Sequence, residues 1–303
     1  MPLLQLPHSE FFDRVEPLDS SLDLAGTRFI NSTSLNTSLP SFLMWQDKFD
    51  YAWAVKKNSH FILAHYEKYV YFPVPPQPLT PESLEEAFEY MKEVNGPGPG
   101  ISRIEGFTEE DLKKLPPYPI RPTLTEYVYD RSRVASLQGD SYRAQRALVH
   151  QLLREHKVLF RPYRSSDLET CGGLFEVWKS QRLPIFHGQM GEKMILSAQK
   201  AHGQALLHGE RWGMSAWVVF LGERLAAYTA GAPLNGETFG VFLEVTDLTV
   251  KGLSAYIFST LCRQMEGYAF VNTGDAEGLP HLAESKMHWH PLRKLALYAL
   301  DPL

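Results

Sequence analysis

Cysteine is nearly absent from this 303-residue chain: only Cys171 and Cys262 occur, each in an apolar helical context. A disulfide scaffold or a cysteine zinc site is therefore excluded as the organising device. Long apolar runs are missing as well. No stretch reaches the roughly 18 residues that would span a bilayer, and the opening MPLLQLPHSEFFDRVE has neither a basic n-region nor an apolar core. The expectation is a soluble protein of a reducing, cytoplasmic compartment with no transmembrane segment. Nor does one sign of charge dominate: 30 Lys and Arg against 35 Asp and Glu leave −5. That argues against a surface shaped throughout for nucleic acid or anionic membrane. With 44% apolar and 21% charged residues, disordered, collagen-like and coiled-coil classes fall away.

What is present is one order of elements that occurs twice. From Phe49 to Pro76 the sequence reads as consecutive strands, with a polar turn at Lys57-Asn58-Ser59. Thr80 as N-cap, Pro81 at the first helical position and Asn95-Gly96 as the stop mark a helix, with Leu84, Phe88, Met91 and Val94 at helical spacing. A strand at Ile101 to Ile104, a short helix from Thr108 and a strand at Thr125 to Val128 complete the first half. In the second half, Val158 to Arg161 is a strand and Ser166 caps a helix through Trp178. A hairpin from Ser215 turns at Gly222-Glu223, and Thr238 to Leu248 is the next strand. Gly252 opens an amphipathic helix, Tyr268 to Asn272 is a strand, Leu279 to Lys286 a helix and Arg293 to Leu300 the last strand. The expected class is α/β (α+β): an N-terminal domain over 1–140, a basic linker helix over 141–156 and a C-terminal domain over 157–303.

The linker region concentrates positive charge. Residues 131 to 164 carry eight Lys or Arg against Asp140 and Glu155, a local +6 with −11 elsewhere. Arg143 and Arg146 lie one helical turn apart, and with Tyr129 and Tyr142 they are candidate phosphate binders. A charged linker helix on a solvated face is the usual explanation for such a run. His281, His288 and His290 have no acid or cysteine completing a metal-ligand set, so no metal is expected.

The second half resembles the acetyltransferase (GNAT) superfamily, through FRPYRSSDLE (Phe160 to Glu169) and its order of hairpin, strand, helix, strand, helix, strand. A closer resemblance, over about residues 40 to 300, is to uncharacterised bacterial proteins related to the C-terminal domain of phosphatidylglycerol lysyltransferase. It rests on EYVYDRSRVASLQGDSYRAQRALVHQLL (Glu126 to Leu153), on NTGDAEGLPHLAESKMHWHP (Asn272 to Pro291) and on Trp45. The resemblance implies two tandem GNAT-like domains, each a mixed, mostly antiparallel sheet flanked by helices. It implies an acyltransferase or aminoacyltransferase moving an acyl group from acyl-CoA or aminoacyl-tRNA to an amine or hydroxyl acceptor, with no cofactor beyond that donor. The sequence departs from the lysyltransferase in lacking a long membrane domain. The alternative is a ligand-binding or regulatory protein that retains the fold without catalysis.

Acyl transfer to an amine needs a base, an oxyanion donor and a held acyl group. Glu244 and Asp247 lie three apart on one strand and so point to opposite faces; Glu244 is the candidate base. Tyr228 is a candidate leaving-group acid, or simply packs. Where GNAT proteins bind a pyrophosphate, the sequence here is Lys251-Gly252-Leu253-Ser254 at a helix start, without the usual leading Gln or Arg. In the block of densest resemblance, Asp275 would orient the acceptor amine and Lys286 hold a phosphate or carboxylate, unless the two are a charge pair fastening helix to sheet. The basic linker is where tRNA would bind, with the steep salt dependence of phosphate contacts.

Overall fold

The computed structural model describes residues 9–19, 32–96, 102–183 and 189–302. The chain divides into two compact units: Met1–Glu126 with Asp275–Gly278 and Lys294–Leu303, and Tyr127–Gly274 with Leu279–Arg293. The division thus falls at Glu126 rather than at a linker over 141–156, and the last strand returns to the first unit.

The first unit contains an antiparallel sheet of β1 (Arg14–Pro17), β2 (Tyr51–Lys56), β3 (Ser59–Tyr66) and β4 (Tyr69–Tyr71), in that order. The helices α1 (Leu39–Met44) and α2 (Gln46–Phe49) precede β2. The aromatic and branched run read as strands from Phe49 therefore begins two residues later, after a left-handed Asp50. Helix α3 (Pro81–Asn95) starts as expected, with the Thr80 hydroxyl accepting from the Ser83 amide and the Ser83 hydroxyl accepting from the Thr80 amide. It buries Leu84, Ala87, Tyr90 and Met91. Strand β5 (Ile104–Phe107) follows; the expected start at Ile101 lies outside the described residues. Then come α4 (Glu109–Leu112) and β6 (Ile120–Asp130). Glu126 is fully buried, a placement tolerated because four donors converge on its carboxylate: the Ser34 hydroxyl (2.7 Å), the Leu35 and Asn36 amides (3.0 and 2.9 Å) and the Asn36 side chain (2.8 Å).

In the second unit the end of β6 leads into α5 (Arg131–Ser136) and α6 (Arg143–Glu155). Next come β7 (Val158–Pro162), α7 (Leu168–Arg182), α8 (Gln189–His208), β8 (Ser215–Leu221), β9 (Arg224–Pro233) and β10 (Thr238–Thr246). Helix α9 (Leu253–Gln264), β11 (Phe270–Asn272) and α10 (Pro280–Met287) complete it. The strands run β6-β11-β10-β9-β8-β7, antiparallel except for the parallel pair β10/β11. The final strand, β12 (Arg293–Leu300), pairs antiparallel with β5. Each expected element of this half is present, but Ser166 does not cap α7: it lies within a 3-10 turn (Ser165–Asp167), and the N-cap position falls to Asp167, whose carboxylate is bonded to Arg161 instead. Helix α8, twenty residues long, has no counterpart among the expected elements.

Helix α6 is not a solvated linker. Its Leu152 joins Val219, Ala226, Ala227, Leu253 and Ile257 in one buried cluster, and Val149 joins Leu137, Tyr142 and Ala255 in another. Covered on its outer side by α5 and α6, α9 buries Ala255, Phe258, Ser259, Thr260 and Cys262 as well as Leu253, Ile257 and Leu261; these three with Met265 form the apolar stripe legible in the sequence, and Met265, at the helix end, is only half-buried. Gly252 makes the contact with α6 possible. Its φ is +83°, and a Cβ there would lie 2.3 Å from the Leu148 carbonyl oxygen. Gly252→Ala is accordingly expected to lower stability by at least about 1–3 kcal/mol, from the left-handed backbone and the clash together, as a shift in denaturation midpoint without change of slope.

Candidate active site

Strands β10 and β11 are paired for only three residues, Thr238 to Gly240 against Phe270 to Asn272. Beyond Gly240 a bulge between Val241 and Leu243 shifts the register of β10, which continues to Thr246 paired with β9 alone. The two parallel strands therefore part, and Glu244 stands on the stretch that has left β11. The Asp247 amide donates to the Ala226 carbonyl (2.9 Å), in register with the Thr246/Ala227 pair. By strand alternation the backbone groups of Val245 point to β9, and those of Glu244 and Thr246 point away from it, into the gap. The gap thus has both a carboxylate and backbone donors.

Glu244 is half-buried and accepts a hydrogen bond from the exposed Ser254 hydroxyl, in the first turn of α9 (3.0 Å). Burial pushes its pKa up to about 7, against the opposing pull of the Ser254 bond and the Lys286 ammonium. Lys286, on α10, donates to the carbonyl and hydroxyl oxygens of Thr273 (2.6 and 3.0 Å), one residue past β11, and its ammonium lies 5.9 Å from the Tyr127 ring centre. The buried Tyr129 hydroxyl donates to the Lys286 carbonyl (3.0 Å), and burial raises its pKa well above the ordinary phenol value. A carboxyl that titrates near neutrality, beside unpaired strand amides and a tethered ammonium, can exchange a proton with a substrate and stabilise a developing oxyanion.

Other expected residues have different surroundings. Asp247, three residues from Glu244, is tied down. Burial alone would raise its pKa, but bonds from Thr249, Arg224 (2.7 Å) and Gln181 (3.2 Å) outweigh this and hold it at about 2. Tyr228 pairs with Val245 and so lies on the sheet face opposite Glu244. Its buried hydroxyl is 3.0 Å from His202 Nδ1, and desolvation keeps that imidazole neutral, with a pKa lowered to about 3. Tyr228 is not brought to the gap as an acid. Asp275 belongs to the first unit, where its carboxylate accepts from the Glu277 amide (2.9 Å) and closes a short turn. Lys286 is bonded to Thr273 rather than to Asp275, so the expected charge pair between them is not what fixes α10.

Of the basic run, Arg146 donates to the Leu137 and Gly139 carbonyls beyond α5, Arg131 to the Tyr268 and Cys262 carbonyls, and Arg161 to Asp167. Arg143 remains exposed. Much of the local +6 is thus spent on packing. At Lys251-Gly252-Leu253-Ser254, Lys251 is exposed, Gly252 is closed off by Leu148, Leu253 is buried, and Ser254 bonds Glu244. Both cysteines are free and buried, and burial raises the Cys171 thiol to about 12, so neither is an activated nucleophile. Thr273 was not anticipated. The strand end at Asn272 was expected, but the pairing of Thr273 with Lys286 joins residues 13 apart across a turn and a helix, which local sequence does not signal.

No protein-family model and no curated protein matches the chain in sequence. Solved structures do share its fold. A conserved protein of unknown function from Bacteroides thetaiotaomicron is similar with a TM-score of 0.78 at 19% identity, over 90% of this chain and 94% of that one. L-PGS from Bacillus licheniformis gives 0.62 at 14% identity, over 86% of both chains. The C-terminal domain of a putative lysylphosphatidylglycerol synthetase from Agrobacterium fabrum gives 0.57 at 11%, over 81% and 82%. The chain therefore has the fold of the lysylphosphatidylglycerol synthetase C-terminal domain, and the resemblance read from its sequence extends to the structure.

Two measurements check the electrostatics. A carboxyl raised to about 7 in the fold and near 4.3 when unfolded binds its proton more tightly in the native state. Its stabilising contribution is full below about pH 4 and lost as pH rises through 7. Glu244→Gln should therefore gain melting temperature relative to the parent between pH 5 and pH 8; a difference that does not change with pH would exclude the raised value. For Asp247, held low, stability is present above about pH 4 and lost as pH falls toward 2. Asp247→Asn should cost about 1–3 kcal/mol at pH 7, measured by urea denaturation, with the difference shrinking in acid.

Proposed function

We propose that the second unit is an acyltransferase of the aminoacyl-transfer kind, with Glu244 as its base. The observation that carries this is the placement of a half-buried carboxyl, titrating near 7, where β10 has parted from β11. In the reaction, the acceptor ammonium loses a proton to the Glu244 carboxylate and the resulting amine attacks the acyl carbonyl. A C–N bond forms and the C–O bond of the donor ester breaks. One of the outward amides, that of Glu244 or that of Thr246, receives the developing oxyanion, since two residues apart on a strand they stand about 6.8 Å from each other; the departing oxygen takes up a proton, returned through Glu244 or from water. A hydroxyl acceptor follows the same course, with its O–H proton going to Glu244.

The donor reading favours an aminoacyl ester over a CoA thioester. Gly252 has its open side against the Leu148 carbonyl, and the start of α9 already has a carboxylate bonded to Ser254. An ionised Glu244 there would repel a pyrophosphate. Likeness to proteins whose names describe a lysyl-phospholipid product is in keeping with this choice. Single-turnover transfer from aminoacyl-tRNA to an added amine, run beside acetyl-CoA, tests it. Glu244→Gln should lower the rate about 10²–10⁴-fold with little change in donor affinity, and the parent rate should rise through an apparent pKa near 7. Transfer from acetyl-CoA alone would overturn the donor reading. Binding of either donor without transfer, unaltered in Glu244→Gln, would favour a non-catalytic binding protein.

A further inference from the structure

The second unit has four half-buried arginines, Arg131, Arg146, Arg161 and Arg182. Three have defined partners: Arg131 and Arg146 reach backbone carbonyls, and Arg161 makes a two-pronged bond to Asp167 at 2.7 and 2.8 Å. Arg182, the last residue of α7, does not. Its Nε is buried without a hydrogen-bond partner, and among the described residues no carboxylate pairs with its guanidinium. Desolvation alone pulls its pKa down, with no acid opposing the shift. A guanidinium taken partly out of water with no ion pair among the described residues, and only the Trp178 ring beside it, is incompletely compensated. The C-terminus of α7 favours a cation in general terms, yet no bond joins this side chain to a carbonyl there.

Two further features locate the residue. Trp178, one turn earlier, has its ring centre 5.9 Å from the guanidinium carbon and forms an apolar wall beside it. Gln181, the preceding residue, bonds the Asp247 carboxylate (3.2 Å) and accepts from the Leu248 amide (3.1 Å). The end of α7 is thereby fastened to the end of β10, three to four residues past Glu244.

From this placement we propose that Arg182, backed by Trp178, is a binding point for an oxyanion, the phosphate or carboxylate of a substrate whose reacting end lies in the gap at Glu244. Its planar, five-donor head suits two-pronged recognition of either group, and the ligand supplies the counter-charge that the fold withholds. The assignment of the ligand as substrate rests on the acyl-transfer reading; the binding point itself does not.

Titration of the whole protein with inorganic phosphate, and separately with acetate, followed by tryptophan fluorescence, tests it. The parent should respond saturably to at least one of the two, which identifies the preferred group. Arg182→Met should lose at least tenfold in affinity, Arg182→Lys should retain part of it, and Glu244→Gln should bind as the parent does. Because Arg182→Met removes an uncompensated charge, its melting temperature should equal or exceed the parent's. A lower melting temperature with unchanged anion response would make Arg182 a structural residue and overturn the proposal, as would no saturable response to either anion. Intact Arg182-dependent binding with no transfer activity would instead overturn the acyl-transfer reading alone.

Discussion

Three residues of parallel pairing hold β10 to β11, and the features of the candidate site depend on how early that pairing ends. A β-strand in mid-sheet has no backbone groups to offer a ligand, since both edges are bonded. Here the bulge after Val241 turns β10 away while its other edge stays bonded to β9, so the strand is rigid and half-unpaired at once. That geometry places Glu244 in a recess partly open to solvent but crowded enough by protein to disfavour charge. Past the end of that pairing, Thr273 keeps its amide on the Tyr127 carbonyl of β6 and turns its carbonyl and hydroxyl oxygens to Lys286. Shape and electrostatics have the same origin in the register shift.

Glu244 and Asp247 show how little the residue type alone decides. The two carboxylates are three positions apart, and one titrates near 7 while the other is held near 2. The difference is donors: Asp247 has an arginine, a glutamine and a threonine around it, whereas Glu244 has one serine and a lysine engaged elsewhere. Glu126, buried in the other unit, repeats the first solution with four donors. Arg182 reverses the sign of the problem, as a cation that among the described residues lacks the partner that Arg131, Arg146 and Arg161 have.

Much of the architecture was legible before any coordinates. The Thr80-Pro81 helix start, the Gly222 hairpin turn and the order of elements in both halves follow from local chemistry, and the structure has each of them. Helix α8 was not read from the sequence, although Ile195, Ala201, Ala205 and Leu206 are buried along it. Nor was the place of α6. Its arginines suggested a solvated linker, but Val149 and Leu152 are enough to seat it on α9, and Arg146 is consumed in bonding the chain beyond α5.

By itself the sequence determined most of the elements, the Thr80 cap, the Gly222 turn and the choice of Glu244 as a candidate base, because these depend on residues near one another in the chain. Only the tertiary structure decided that Tyr228 faces the opposite side of the sheet, that Gly252 meets the Leu148 carbonyl instead of open solvent, and that Lys286 is tethered to Thr273. Those outcomes turn on strand register and on which helix covers which, relations between segments distant in sequence.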